Sequence, residues 1–286
     1  MPASSPTVRR RRLGLILRDL RLAAQLTGEE VGRRVERSAS WVSRVEHGRV
    51  GLRSRDLNDL LDALEVTSQE IRAELTQLAR ESKQRGWWNR YGQTITGPYA
   101  SFISFEHEAS VLLCYETLVV NGLLQTEAYA RALNDRATSI QASGDADRQV
   151  QIKLTRQQRL TSENPPELWI ILDEAVLRRP FGGPSVMREQ LQYLAATADE
   201  LPHVSIQVLP HRQAIFPGMI ASFTLMEFPG PDTSIVFSEG LTGAVHGESE
   251  EAVRCTIIFN ELRAAALSKR DSIKMLRGAA QVMVEQ

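Results

Sequence analysis

At 286 residues the chain has room for two domains of about 100–200 residues each, and its 34 Lys and Arg all but balance 35 Asp and Glu. The balance conceals an asymmetry: residues 1–60 hold 13 arginines and no lysine against 7 acids, net +6, and the remainder is net −7, so a basic head is expected to face a polyanion and an acidic body to meet other partners. Two cysteines, Cys114 and Cys255, without CxxC or Cys/His zinc spacing, no apolar run of the roughly 18 residues a membrane helix needs, and an arginine-rich start without an apolar stretch or cleavage site behind it argue against a disulfide scaffold, a membrane span and a signal peptide, so a reduced, cytoplasmic or nucleoid-bound protein is expected.

Behind a short start expected to be disordered, Leu13, Ile16, Leu17, Leu20 and Ala24 recur at helical spacing and predict an amphipathic first helix. Leu26 to Gly48, LTGEEVGRRVERSASWVSRVEHG, then reads as two short helices joined by a tight turn. Thr27 and Glu30 form a capping box, so the first of these starts at Gly28, with Val31 and Val35 inward and Glu29, Arg33 and Arg34 pointing elsewhere. Ser38 is the N-cap of the second, Val42 and Val45 are its buried stripe, and Gly48 suits a left-handed stop. The exposed face is Ala39, Ser40, Trp41, Ser43 and Arg44.

Such a face suits the major groove of duplex DNA, where Ser bonds several base edges and Arg grips guanine with two hydrogen bonds. For Trp41 two readings stay open: packing against Arg37 or the first helix, or apolar contact with a thymine methyl or sugar. Around this helix, Thr27, Gly28 and Ser38 sit at helix starts whose N–H groups suit phosphate. Arg49 and Arg53, behind Gly48, are expected to touch phosphates too. Arg9 to Arg12 are either a solvated helix start or a phosphate-binding or minor-groove arm.

With Ser43-Arg44-Val45-Glu46-His47-Gly48 closing it as an "SRxExG" helix end, the segment resembles the DNA-binding domain of the Xre and phage-repressor family. That family usually carries Gln or another long polar residue where this chain has Gly28, so a side-chain phosphate contact is expected to be missing. The resemblance implies a double-stranded operator and, because one reader covers only a half-site, a homodimer.

Ser54 and Asp56 open a fourth helix with Leu57, Leu60, Leu61 and Leu64 buried, and Thr67 to Glu70 repeat the capping-box pattern before a fifth with Ile71, Leu75 and Leu78. From Glu81 to Pro98 helical periodicity fades, so the domain boundary is placed at 84/85. Trp87, Trp88 and Tyr91 there are expected to be packing anchors of the second domain; stacking on bases would want more interleaved cations than Arg85 and Arg90. Tyr99 to Leu133 reads as helices with Phe102, Phe105, Ala109, Leu112 and Leu113 inward and a break at Asn121-Gly122. Asp145 to Leu160 reads as a polar helix, ended by Pro165-Pro166. Leu168–Leu172 and Val204–Leu209 are strand candidates flanking a helix over Val186–Ala198. Phe223–Phe228 and Ser234–Phe237 suggest a hairpin across Pro229 to Asp232, and Glu250–Leu267 a closing helix.

Glu108-Ala109, Tyr115-Glu116, Gly122-Leu123-Leu124-Gln125-Thr126-Glu127-Ala128-Tyr129-Ala130-Arg131, Arg156-Gln157-Gln158-Arg159-Leu160, Leu172 to Arg178, Met187 to Leu191 and Val208-Leu209-Pro210 together resemble the domain of unknown function that follows an Xre reader in many actinobacterial regulators. Asn121 departs from it, because Pro is usual there and the turn is then expected to be looser. The resemblance implies a transcription regulator, often tied to development or secondary metabolism and often encoded beside a small partner protein, and it implies no defined ligand.

Metal and catalytic readings find little support. None of His47, His107, His203, His211 and His246 has a second His one helical turn away, so no zinc motif accompanies Glu106-His107-Glu108. Asp173-Glu174 stands after a strand like an acid/base pair, yet without a nucleophile or phosphate loop, and Glu174 equally suits the first turn of a helix. The expected architecture is therefore α plus α/β: a five-helix lambda-repressor-like domain over 1–84 and a larger mixed α/β domain over 85–286. The expected protein is a DNA-binding regulator, not an enzyme, with no cofactor. An antidote-like protein that binds and controls a small partner is the alternative.

Overall fold

Local start and stop signals cut the first part of the chain into five helices: α1 (Val8–Ala23), α2 (Gly28–Arg34), α3 (Ala39–Glu46), α4 (Ser54–Ala63) and α5 (Gln69–Glu81). The computed structural model describes residues 8–83, 86–91, 94–95, 97–138, 146–213, 221–229, 234–240, 243–248 and 250–283. The start ahead of Val8 and most of the turn expected at Pro229 to Asp232 lie outside the described residues. α1 to α4 each stop on a residue in the left-handed region, Gln25, Glu36, Gly48 and Glu65, at φ between 54 and 64°. In each case the next N–H reaches five residues back, from Leu26 to Arg21, Arg37 to Gly32, Arg49 to Arg44 and Val66 to Leu61, at 2.8 to 3.1 Å, which satisfies carbonyls the helix end leaves open. Leu13, Leu17, Val31, Val42, Val45, Leu57, Leu60, Leu61 and Leu75 meet in one core.

Three local expectations shift. Ala24 lies beyond the end of α1 and is exposed. The cap of α5 is Ser68, whose Oγ accepts from the Ile71 N–H, one residue later than the Thr67 pattern suggests. That start turns Ile71 outward, 40 % exposed, and leaves Leu75 and Ala79 as the buried positions.

The chain divides into two compact units, Met1–Phe105 and Glu106–Gln286. The division falls inside α6 (Gly97–Glu108), past the fading periodicity at 84/85. Trp87 to Tyr91 form a 3-10 turn within the first unit, with Trp88 buried and edge-on to Trp87 at 5.9 Å.

The second unit is a six-stranded mixed sheet in the order β3-β2-β1-β4-β5-β6. Its strands are β1 (Val111–Glu116), β2 (Glu167–Asp173), β3 (Val204–Leu209), β4 (Phe223–Glu227), β5 (Ile235–Gly240) and β6 (Gly243–Glu248). β1, β2 and β3 run parallel, with Leu112 opposite Leu168 and Leu168 opposite Val204. Parallel neighbours need long crossovers, here α7 (Glu127–Thr138) with α8 (Ala146–Gln157), then α9 (Glu174–Arg178) with α10 (Pro184–Glu200). β4, β5 and β6 complete the sheet antiparallel, and α11 (Glu250–Ala265) and α12 (Lys269–Val282) close the chain.

Tyr115, Ile171, Leu209, Phe223, Leu225 and Val236 share one face with Ala252, Phe259 and Leu262 of α11. By the two-residue alternation, Leu112, Cys114, Ile170, Leu172, Ile206 and Val208 are buried on the other. The outer edge of β3 is closed by the chain around α12: the Leu267 N–H donates to the Val208 carbonyl and the Val208 N–H to Ser272 Oγ, both at 2.9 Å. That protects an edge otherwise open to foreign strands.

The helical reading of Val111–Glu116 is corrected here, since this segment is the central strand. Buried on both sides, it carries an unbroken apolar run that shows neither period. The closing helix ends at Ala265, and α12 follows it as a separate helix capped by Ser268. Nor is the turn at Asn121 loose. Its Oδ1 accepts from the Leu123 N–H at 2.9 Å and its Nδ2 donates to Glu116 Oε1 at 2.7 Å, so an Asx turn fixes the bend that Pro would otherwise set.

Candidate nucleic-acid interface

The geometry of α2 and α3 follows from close backbone approach. A Cβ on Gly32 would fall 2.7 Å from the Arg37 carbonyl, so only glycine lets the chain leave α2 this tightly, and one on Gly14 would collide with the Val45 and Glu46 carbonyls, so only glycine lets α1 lie against α3. Beside that crossing Arg21 Nε and Nη2 donate to Glu46 Oε1 and Oε2 at 2.6 and 3.0 Å, and Arg21 Nη1 donates to the Leu26 carbonyl. The Glu46 hydrogen bond raises the Arg21 pKa further. This largely buried, two-pronged pair fixes α3 against α1. Sequence reasoning records Glu46 only as a letter of the SRxExG pattern, because its partner stands 25 residues away.

On that support α3 turns Val42, Val45 and Glu46 inward and leaves Ala39, Ser40, Ser43 and Arg44 exposed together. Ser38 Oγ accepts from the Trp41 N–H at 3.2 Å and lies 3.0 Å from Ser40 Oγ. Trp41 is half-buried: it packs on the helical core with the Arg37 guanidinium 5.5 Å over its ring, the packing alternative of the two open readings. His47 Nδ1 is 2.7 Å from the Ser43 carbonyl, which requires a proton on Nδ1.

At α2 the capping box forms. Thr27 Oγ1 accepts from the Glu30 N–H at 3.2 Å, and Glu30 Oε2 receives the Thr27 N–H and hydroxyl, both at 2.7 Å. These bonds, the backbone one first, hold the exposed Glu30 carboxyl below its ordinary pKa. Thr27 thus has its hydroxyl occupied inside the protein. Gly28 is different: a Cβ there would meet nothing within 4 Å, so neither space nor a positive φ demands glycine.

The arginines of α2, α3 and the segment on either side of α3 divide into two sets. Arg34 donates to the Ala63 carbonyl at 2.6 Å and to Glu65, and Arg37 pairs with Asp56 at 3.1 Å. Arg33, Arg44, Arg49 and Arg53 are exposed, and among the described residues their guanidiniums make no hydrogen bond or ion pair. Arg33 is the addition to the expected set; charge alone does not separate it from Arg34 in the sequence. Arg9 to Arg12 belong to the first turns of α1 and are half-buried. Arg9 stands 3.9 Å from Glu81, and Arg11 lies 5.1 Å over the Phe105 ring with its pKa lowered to about 10, by burial first and by Arg49 second. They form a helix start, not a free arm.

In the second unit the polar residues of the resemblance bind one another. Arg156 Nε and Nη2 donate to Glu106 Oε1 and Oε2 at 2.7 and 2.6 Å, with both side chains almost fully buried. The Gly122 to Thr126 turn is held by Gln157, which donates to the Gly122 and Gln125 carbonyls, and by Gln190, which donates to the Leu124 carbonyl and accepts from the Thr126 N–H. Tyr129 accepts from the Val120 N–H. Asp173 caps α9 through the Ala175 N–H, while Glu174, in its first turn, pairs with Arg178 and accepts from the His211 N–H. Among the described residues no group of three or more His, Cys, Asp or Glu could hold a metal ion, and no helix is long and apolar enough to cross a membrane.

Residues 12–75 match the model of a helix-turn-helix domain. Residues 99–278 match the model of a domain of unknown function, DUF5753. No curated protein and no solved structure matches the chain.

Proposed function

The chain belongs to the family of the domain of unknown function DUF5753 and carries a helix-turn-helix domain ahead of it, and from that premise we propose that it is a sequence-specific DNA-binding transcription regulator. The observation that carries this reading is the exposed face of α3, where Arg44 stands with a guanidinium unpaired among the described residues on a helix held by Arg21–Glu46. In this proposal α3 enters the major groove, with Ala39, Ser40, Ser43 and Arg44 toward base edges and Trp41 steadying the helix. The N–H groups at the starts of α2 and α3, beside Thr27, Gly28 and Ser38, face phosphate together with Arg33, Arg49 and Arg53. The second unit supplies dimerisation, so that two readers meet two half-sites of one operator. Such a regulator acts in the cytoplasm and needs no cofactor.

Selection of the full-length protein against random duplexes tests the reading. It predicts an enriched motif with two related half-sites, and recovery of duplexes without any preferred sequence would refute it.

A further inference from the structure

The hydrogen bonds that close the body leave part of one seam unused. Between α10 and α12 runs a cleft of about 420 Å³, lined by Arg188, Gln192, Ala195 and Ala196 of the first helix and by Arg277, Ala280 and Gln281 of the second. That size lies within the range of about 300–1,000 Å³ usual for small-molecule sites. On α10 the four residues fall at i, i+4, i+7 and i+8, and on α12 the three fall at i, i+3 and i+4, so each helix contributes one continuous stripe. Helix pairs normally interlock their side chains along such a seam, whereas Ala195 and Ala280, both buried, are too small to fill it and the exposed Ala196 leaves its mouth open.

Around this floor, donors are in excess. Arg188, Gln192 and Gln281 make no side-chain hydrogen bond or ion pair among the described residues, in contrast to Gln157 and Gln190, which hold the Gly122 to Thr126 turn. Arg277 donates to Asp199, outside the lining, through Nη2, and keeps its other guanidinium donors. Two guanidiniums against that single carboxylate leave the cleft positive, and no acidic side chain lines it, although the chain outside the basic head is net acidic. We propose that the cleft between α10 and α12 is a binding site for a small organic anion. Arg188, with Arg277, takes its carboxylate or phosphate group in charge-assisted hydrogen bonds, Gln192 and Gln281 bond polar groups beside it, and the apolar part of the ligand lies on Ala195, Ala196 and Ala280. This site goes beyond the reading of the head as a DNA reader and does not depend on it.

Calorimetric titration of the full-length protein with succinate and with inorganic phosphate tests the site, for the wild type, Arg188→Ala, Ala196→Leu and Arg254→Ala. The first change removes the unpaired guanidinium, the second fills the cleft from an exposed position without altering charge, and the third removes an exposed arginine of α11 that does not line it. Each puts a good helix former in place, and circular dichroism checks that the variants fold. At least one probe should bind with a Kd of about 1 mM or tighter, succinate marking a carboxylate ligand and phosphate a phosphoryl one. Arg188→Ala should weaken that binding at least about tenfold, through the loss of charge-assisted hydrogen bonds, and Ala196→Leu by as much through lost space, while Arg254→Ala leaves it unchanged. The head's exposed arginines also attract anions, so binding that survives unchanged in either cleft variant lies elsewhere and would overturn the site. So would the absence of binding by both probes, or an equal loss in Arg254→Ala, which would reduce the effect to net charge.

Discussion

Both units contain an arginine and a glutamate locked by two hydrogen bonds, and they use the pair to opposite ends. In the head, Arg21–Glu46 holds α3 from behind, and the polar side chains on the front of that helix are left facing solvent. In the body, Arg156–Glu106 lies beside a turn whose carbonyls are taken up by Gln157 and Gln190. The residues that look most like a motif in the body are therefore internal ties, and the less conspicuous Ser-Arg face of the head is the surface with capacity left to bind. A buried polar group without a partner is costly, so dense hydrogen bonding is evidence of scaffolding, and exposed unpaired cations are evidence of an outward role.

Breaking the two pairs should give the largest effects. Arg156→Ala leaves Glu106 charged and buried, so the body should lose about 3–5 kcal/mol, read from denaturant midpoints of the full chain. Arg21→Ala should cost less, because that pair is closer to solvent, and should also impair DNA binding by loosening α3. Equal losses for both would deny the contrast.

Two carboxyls set the units apart in their response to pH. Burial pushes Glu116 from 4.5 to about 7, against hydrogen bonds from Asn121 and Ser222. The folded body then keeps a proton that the unfolded chain releases, so this group's stabilising share is full below about 4.5 and is lost as pH rises through about 7. Glu116→Gln, which keeps an acceptor for Asn121, should flatten that fall in the melting temperature. Glu30 works in the other direction: its lowered pKa makes the capping box a stabiliser that fades as pH drops through the acidic range. A Glu116→Gln melting curve parallel to wild type across neutral pH would contradict the assignment.

Smaller effects belong to the head's surface. Replacing Arg49 and Arg53 by Ala should flatten the dependence of log K on log salt by nearly two units, at about 0.9 per lost phosphate contact, and leave the ranking of sequences intact. An unchanged slope would remove both from the interface. Glu36→Gly should stabilise the head by about 1 kcal/mol or less, since Glu36 occupies the left-handed region at φ +54°, where a Cβ is strained. A lower melting temperature would show that the Glu36 side chain matters more than its backbone.

What could be read from the sequence divides along the same line. The head's signals are local: Thr27 with Glu30, Ser38 with Val42 and Val45, and Gly48 lie within a turn or two of each other, so its helices and its outward face could be read directly. The body depends on distant partners. Val111–Glu116 carries no period because both its faces are buried, and β6, rich in glycine, gives no alternation. Asn121 reads as a missing Pro until its side chain is seen to make the turn itself. Glu46 and Arg33 escaped for a related reason, one because its partner is 25 residues away, the other because only the fold shows which arginines are already paired.

In the proposed reading α3 meets base edges in the major groove and Arg44 takes part. The most direct measurement is the binding preference of Arg44→Ala at every position of the selected motif, beside the wild type. Loss of about 1–3 kcal/mol of discrimination at one position of each half-site, with the fold and the salt slope largely kept, is the predicted result. An Arg44→Ala protein with unchanged affinity and unchanged preference at every position would contradict it.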